Sequence, residues 1–155
     1  MTFQISALDP RRFDRFFAMS DAELADNLAA RRVAMTKPGF PCRISLADAE
    51  IGEEVILVNH THQDGASPFR AAHAIYVRKG AEQARPAIGE TPEFFRSRML
   101  SLRAFNDQAM IVAAELVEGA KLGPALESLL ADPAVRDVHI HFAKYGCYAA
   151  RAVRA

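Results

Sequence analysis

The residues with the greatest capacity for chemistry are the five histidines, which all lie in two short segments. His139 and His141 stand two positions apart in VHIHF, and His60 and His62 have the same spacing in VNHTH, with His73 a short loop further on. Residues at positions i and i+2 of a β-strand share one face, so each pair can converge on a single ion. Neutral imidazoles are good ligands for zinc and related divalent transition metals. The pattern predicts a metal site built from His62, His139 and His141, with His60 as an alternative to His62. The alternative is ordinary hydrogen-bonded histidines.

Cys147 follows the second histidine segment, just past a predicted turn. If KYG forms a three-residue hairpin loop, the register pairs His139 with Arg151. The same register pairs His141 with the small Ala149 and places Cys147 on their shared face. Cys147 is then a candidate catalytic nucleophile with His141 as its base, and an alternative third metal ligand. The competing interpretation is a small, half-buried hydrophobic residue, the commoner role of a cysteine.

Several scattered polar residues form a candidate substrate-binding set. Guanidinium groups bind planar anions such as carboxylates and phosphates, so the expected ligand is an anionic small molecule. Cys42 is included as well, and it could form a redox pair with Cys147 if the loop GFPCR folds over the hairpin. Ordinary surface arginines are the alternative. The set comprises Ser67, Arg70, Arg151, Cys42 and Arg43.

The elements that must position these residues are mostly short strands joined by hairpin-length loops. EEVILVNHTH reads as a strand that is apolar on both faces at its centre, and HAIYVR follows it. LSLRAF with AMIVAAELV, and VRDVHIHFA with CYAARAV, read as hairpins. SDAE is a capping box, and KLGPALESLLADP has the spacing of an amphipathic helix. We therefore predict an α+β fold, with one mainly antiparallel curved sheet of about seven strands and three or four helices packed on it.

The composition limits the class of protein. A chain of 155 residues, half of them apolar and a quarter charged, suits one folded domain over residues 1–155. The 19 basic and 19 acidic residues balance, and no basic stripe predicts a nucleic-acid partner. No apolar run is long enough to span a membrane, and the N-terminal residues lack a signal-peptide pattern. We expect a cytoplasmic protein with reduced cysteines.

Four long segments together resemble a bacterial family of about this length, domain-of-unknown-function family 1203. They are KPGFPCRISLADAEIGEEVILVNHTH, SPFRAAHAIYVR, RSRMLSLRAF and VHIHFAKYGCYAARAVRA, and the likeness is nearly full length. In the family pattern Phe142 is usually asparagine and His60 is often aromatic, so the likeness gives no support to a scheme that requires His60. The resemblance implies a soluble bacterial protein, and it assigns no substrate, cofactor or catalytic residue.

Two functions remain open from the sequence. The first is a small-molecule-binding protein, with or without enzymatic activity, whose pocket of histidine, cysteine and arginine side chains holds a divalent metal such as zinc. The second is a non-catalytic interaction or self-association module, in which the polar face of the terminal hairpin is a partner surface or a homodimer interface.

Overall fold

The computed structural model describes residues 2–155, and in that range ten strands form two five-stranded sheets. Every pair of neighbouring strands in the first sheet is antiparallel. From one edge to the other, this sheet contains β1 (Phe3–Ser6), β10 (Tyr148–Arg154), β9 (Asp137–Phe142), β7 (Met99–Phe105) and β8 (Ile111–Glu118).

The second sheet is mixed, because β3 and β6 run parallel while its other pairs are antiparallel. From edge to edge it contains β2 (Ala29–Val33), β5 (Glu54–Gln63), β6 (Ala71–Arg78), β3 (Pro41–Cys42) and β4 (Ala47–Asp48). The described helices are α1 (Asp14–Phe17), α2 (Asp21–Asp26), α3 (Glu93–Arg96) and α4 (Leu122–Ala131), with short 3₁₀ turns at Pro10–Arg12 and Gly119–Lys121.

The predicted α+β class is confirmed, but the prediction of one sheet of about seven strands is wrong. The two predicted hairpins form, β7 with β8 and β9 with β10, and β5 also pairs with β6. Short loops determine which consecutive strands pair, whereas the assignment of each hairpin to a sheet depends on contacts between distant parts of the chain. Here β1 pairs with β10 and forms one edge of the first sheet. That sheet contains neither β5 nor β6.

The two faces of the first sheet have different coverings. On one face α3 and α4 pack over Val138, Ile140 and Phe142 of β9. The leucines of α4 recur at helical spacing and supply the apolar stripe that this packing needs. The second sheet covers the other face around Tyr148, which belongs to the core formed with Ile56, Ile75 and their neighbours. The side chains that alternate with the first three on β9 therefore lie between the two sheets.

This arrangement changes the environment expected for the terminal hairpin. We predicted that Asp137, His139 and His141 form a polar surface of the sheet, but the three side chains are 1%, 3% and 0% exposed. Alternation along β9 correctly placed them opposite the apolar core, and the second sheet then buries them. That face is consequently not available as the partner or dimer surface considered in the sequence-based alternative.

The register of the terminal hairpin is correct at one end and wrong at the other. His139 pairs with Arg151 as predicted, and Gly146 has the expected positive φ of 74°. His141 pairs with Tyr148 instead of Ala149, because the register shifts by one residue between Tyr148 and Ala150. A bulge of this kind reverses the facing of the residues beyond it. The large Tyr148 ring therefore occupies the place where the small Ala149 was expected to leave room for a ligand.

Gly119 is a position where the fold leaves no room for a side chain. A Cβ there would overlap the carbonyl oxygen of Phe95 and lie 2.9 Å from that of Arg98. We expect Gly119→Ala to lower the free energy of unfolding by about 3 kcal/mol, measured by urea denaturation. The matched control is Gly123→Ala in α4, where the nearest atom would be 3.6 Å away and a stabilisation of roughly 0.5–1 kcal/mol is expected. Equal midpoints for the two variants would contradict this assignment.

Candidate metal centre

The packing of the two sheets brings the two histidine segments together. His62 of β5 and His73 of β6 lie against His139 and His141 of β9. The ring centroid of His62 is 4.8 Å from that of His73, 5.0 Å from that of His139 and 4.7 Å from that of His141. His60 lies to one side, with its ring 5.8 Å from that of Tyr148. The two histidine segments, which lie on separate strands, are therefore adjacent in the fold.

Three of these imidazoles direct ring nitrogens at one another. The ligand atoms of His62, His73 and His141 all lie within 4.8 Å of each other. Among the described residues, His62 Nε2, His73 Nδ1 and His141 Nε2 are buried without a hydrogen-bond partner. A buried polar atom left unpaired costs free energy, so three of them around one point indicate a missing partner. Zinc–nitrogen bonds of about 2.0–2.1 Å would require the rings to close in by about an ångström.

The other nitrogens of two of these rings are already engaged. His141 Nδ1 donates to the carbonyl oxygen of Gly146 at 3.0 Å, because a carbonyl can only accept, and this tautomer leaves a lone pair on Nε2. His62 Nδ1 and His139 Nδ1 are 2.8 Å apart, so one of the two donates to the other. With His62 as the donor, its Nε2 also carries a lone pair. Metal-binding histidines usually have a hydrogen-bond partner of this kind on the second nitrogen.

His139, predicted as a metal ligand, is not one of the three converging histidines but is hydrogen-bonded to one of them, His62. Its Nδ1 is occupied by His62, and its Nε2 lies 3.9 Å from Asp137 Oδ1. His73 takes the third position that the sequence assigned to His139. Pairing of β5 with β6 could have indicated His73 as a member of the cluster. This pairing places His60 opposite His73, so His73 lies at the same end of the sheet as His62.

Burial keeps the imidazoles neutral at physiological pH. Desolvation lowers the pKa of His62 to about 3, of His139 to about 4 and of His141 to about 2, and neighbouring cationic or imidazole groups add to each shift. The pKa of His73 is also lowered, first by burial and then by nearby arginines. A neutral imidazole presents the lone pair that a metal ion requires. The protonation state of the cluster therefore suits coordination.

A large cleft opens beside His73. Its volume of about 750 Å³ lies within the usual range for small-molecule sites, and its walls are mainly apolar and aromatic. Residues that line it include Leu57, Tyr76, Met99, Phe142, Tyr145, Arg43, Arg98, Lys144 and Cys147. A smaller, polar cleft of about 340 Å³ lies on the side of His62 and His139. The histidine cluster thus stands between two spaces that can admit a ligand.

Arg43 is the largest fully buried side chain and forms part of the wall of the large cleft. Its Nε donates to the carbonyl oxygen of Tyr148 at 2.8 Å, its Nη1 to that of Pro41 at 2.6 Å, and its Nη2 to Cys147 Sγ at 3.1 Å. Burial lowers the pKa of Arg43, and the sulfur of Cys147 opposes that shift.

The predicted pairing of the Cys147 thiol with a His141 base is not what the geometry supports. Cys147 packs against the core beneath α3 and α4, which is the opposite face of the sheet from His141. The thiol is hydrogen-bonded to Arg43, while His141 Nδ1 is bonded to Gly146. The one-residue shift in the hairpin register is the physical reason, because it turns Cys147 and Tyr148 to the faces opposite those predicted.

The other predicted substrate-binding residues are dispersed. The Ser67 hydroxyl donates to a backbone carbonyl in the turn between β7 and β8 at 2.7 Å, and Arg70 is exposed. Arg151 lines the smaller cleft, where its charge is paired with Asp137 at 2.7 Å. Cys42 is fully buried, and its sulfur accepts a backbone N–H at 3.3 Å. Both cysteines are free thiols.

Comparison with known proteins places the chain in a family. Across residues 2–155, none of the helices combines the length and apolar character that crossing a bilayer takes. Neither the curated proteins nor the solved structures include a match to the chain. The model of a family described as a protein of unknown function, DUF1203, matches residues 39–154, a range that contains all five histidines and both cysteines. The chain therefore belongs to the DUF1203 family.

Proposed function

We propose that this protein binds one divalent transition-metal ion, of the class of zinc, through His62, His73 and His141. The observation that supports this is the convergence of three buried imidazole nitrogens without hydrogen-bond partners among the described residues. Three neutral nitrogen ligands suit zinc and neighbouring divalent metals better than they suit calcium or magnesium, which prefer oxygen.

A set of three protein ligands leaves one position of a tetrahedral ion open. Structural zinc sites are normally closed by four protein ligands, whereas an open position is typical of zinc ions that bind water or substrate. Such an ion activates a bound water or polarises a substrate oxygen. The chain's own contribution is to orient the ligands: Gly146 accepts a hydrogen bond from His141, and His62 shares one with His139. We therefore propose a metal site for a small-molecule ligand, with hydrolytic or Lewis-acid chemistry as the class of reaction.

Titration with zinc tests the proposal. Protein prepared without a polyhistidine tag and stripped with a chelator is expected to bind one Zn²⁺ per chain by calorimetry. We expect His73→Ala and His141→Ala each to weaken that binding by at least about 100-fold, because two ligands hold the ion much less well than three.

The matched control is His60→Ala. His60 lies two positions from His62 on the same strand, is largely buried, and stands outside the converging set. Its removal is expected to change zinc affinity by less than about threefold, because the His60 side chain does not contact the proposed ion. Circular dichroism of every variant confirms folding. Absence of zinc binding by the folded wild-type protein, or an equal loss in His60→Ala, contradicts the proposal.

A further inference from the structure

Among the described residues, no carboxylate neutralises the buried positive charge of Arg43. The side chain is 1% exposed, and its hydrogen-bond acceptors within residues 2–155 are two backbone carbonyls and the sulfur of Cys147. A guanidinium stays protonated in proteins, and an isolated buried charge is costly unless an opposite charge lies beside it. Cys147 is the one ionisable acid among these three acceptors.

Cys147 is placed to meet a ligand. It is half-buried, lines the cleft of about 750 Å³, and accepts a hydrogen bond from Arg43 Nη2 at 3.1 Å. A thiol must lose its proton to act as a nucleophile, and a guanidinium in hydrogen-bond contact stabilises the sulfur anion that results. Cys42, by contrast, is fully buried and receives only a backbone N–H.

The charged residues that line the cleft favour ligands of one charge. In the described part of the chain no residue that lines it is acidic, and Arg43, Arg98 and Lys144 are basic. Arg98 is offset by its ion pair with Asp48 at 2.6 Å, so the excess positive charge rests on Arg43 and the exposed Lys144. Aromatic and apolar side chains form much of the remaining wall, including Phe142, Tyr76 and Tyr145. The lining therefore favours a small organic anion over a neutral or cationic molecule.

We propose that Cys147 is a nucleophilic thiol of the large cleft, activated by Arg43, and that it reacts with small electrophiles that carry a carboxylate. The proposal stands apart from the metal site, because neither Cys147 nor Arg43 belongs to the converging histidines. Iodoacetate is the probe. The sulfur attacks the iodine-bearing carbon, the S–C bond forms as the C–I bond breaks, iodide leaves with the electron pair, and the thiol proton passes to water.

Alkylation followed by intact mass and peptide mapping tests the proposal on the full chain. At neutral pH, iodoacetate is expected to modify Cys147 and to leave Cys42 unmodified, so that Cys42 reports whether each variant is folded. We expect Arg43→Met to slow the alkylation of Cys147 by about tenfold or more, the effect of one charge-assisted hydrogen bond on a rate. Arg43→Lys, which retains the charge, is expected to restore much of the rate.

A second variant keeps the proposal testable if the Arg43 variants expose Cys42 by unfolding. Lys144→Ala alters an exposed residue of the hairpin loop. It is expected to lower the rate ratio of iodoacetate to neutral iodoacetamide at Cys147 about threefold, since one screened charge is lost. Three results would overturn the proposal: no modification of Cys147 in the folded protein, an unchanged rate in folded Arg43→Met, or an unchanged ratio in Lys144→Ala.

Discussion

Arg151→Met is expected to lower the free energy of unfolding by about 3 kcal/mol, the lower end of the usual cost of removing one partner from a buried ion pair, because Arg136 still contacts the carboxylate. Asp137 is 1% exposed, and its Oδ2 receives Arg151 Nε at 2.8 Å and Arg151 Nη2 at 2.7 Å. After the substitution the carboxylate retains only Arg136, at 3.2 Å. Urea denaturation at pH 7.5 measures the change.

An exposed ion pair of the same residue types is the matched control. Arg11 and Asp9 are 2.6 Å apart, but the arginine side chain is 86% exposed, so water already solvates both charges. Arg11→Met is expected to leave the urea midpoint unchanged. The double variant Asp137→Asn/Arg151→Met is expected to be more stable than Arg151→Met alone, because it no longer buries a carboxylate that has lost its closest partner. If both single variants lose the same stability, burial is not the source of the effect.

Metal-free protein is expected to lose at least about 4 kcal/mol of stability between pH 6.5 and pH 5. His139 and His141 are buried, and their pKa values are lowered from 6.5 to about 4 and about 2. Below pH 6.5 the unfolded chain binds protons that the folded chain excludes, so the contribution is complete above 6.5 and declines as pH falls. Each group then accounts for about 2 kcal/mol by pH 5.

Urea denaturation in the presence of a chelator at the two pH values tests this result. Asp9 and Glu54 do not account for this difference in stability. Their pKa values are lowered from 3.8 and 4.5, so their contributions to stability are lost only at more acidic pH. His139→Asn is expected to reduce the difference between the two pH values by about 2 kcal/mol, since one titrating group is removed. Equal stability at pH 6.5 and pH 5 would show that the histidines are not held neutral by burial.

The candidate site shows where local patterns succeed and where they stop. The i, i+2 spacing placed His139 and His141 on one face of a strand, and the same rule placed His60 and His62 on one face of another. The rings that converge in the structure differ from the predicted ligand set, because His139 is hydrogen-bonded to His62 and His73 is the third converging ring. That bond joins strands of two different sheets, and no sequence spacing encodes it.

Cys147 illustrates a second limit. The predicted hairpin and its Gly146 turn are present, yet a single-residue shift at Tyr148 exchanges the faces of the two neighbouring side chains. Strand alternation has a period of two, so one inserted residue reverses every assignment beyond it. The partner that the thiol acquires, Arg43, is far away in the chain and was predicted only as part of a scattered anion-binding set.

The sequence by itself determined the longer strands, two hairpins, one capping box and the α+β class, because alternation, turn residues and capping act over a few neighbouring positions. It also predicted the two histidine segments and Cys147 as candidate site residues. The tertiary structure alone decided that ten strands divide into two sheets and that the imidazoles are buried between them. It also decided that the thiol faces a buried arginine. These outcomes depend on the packing of distant segments, whose partners no local pattern specifies.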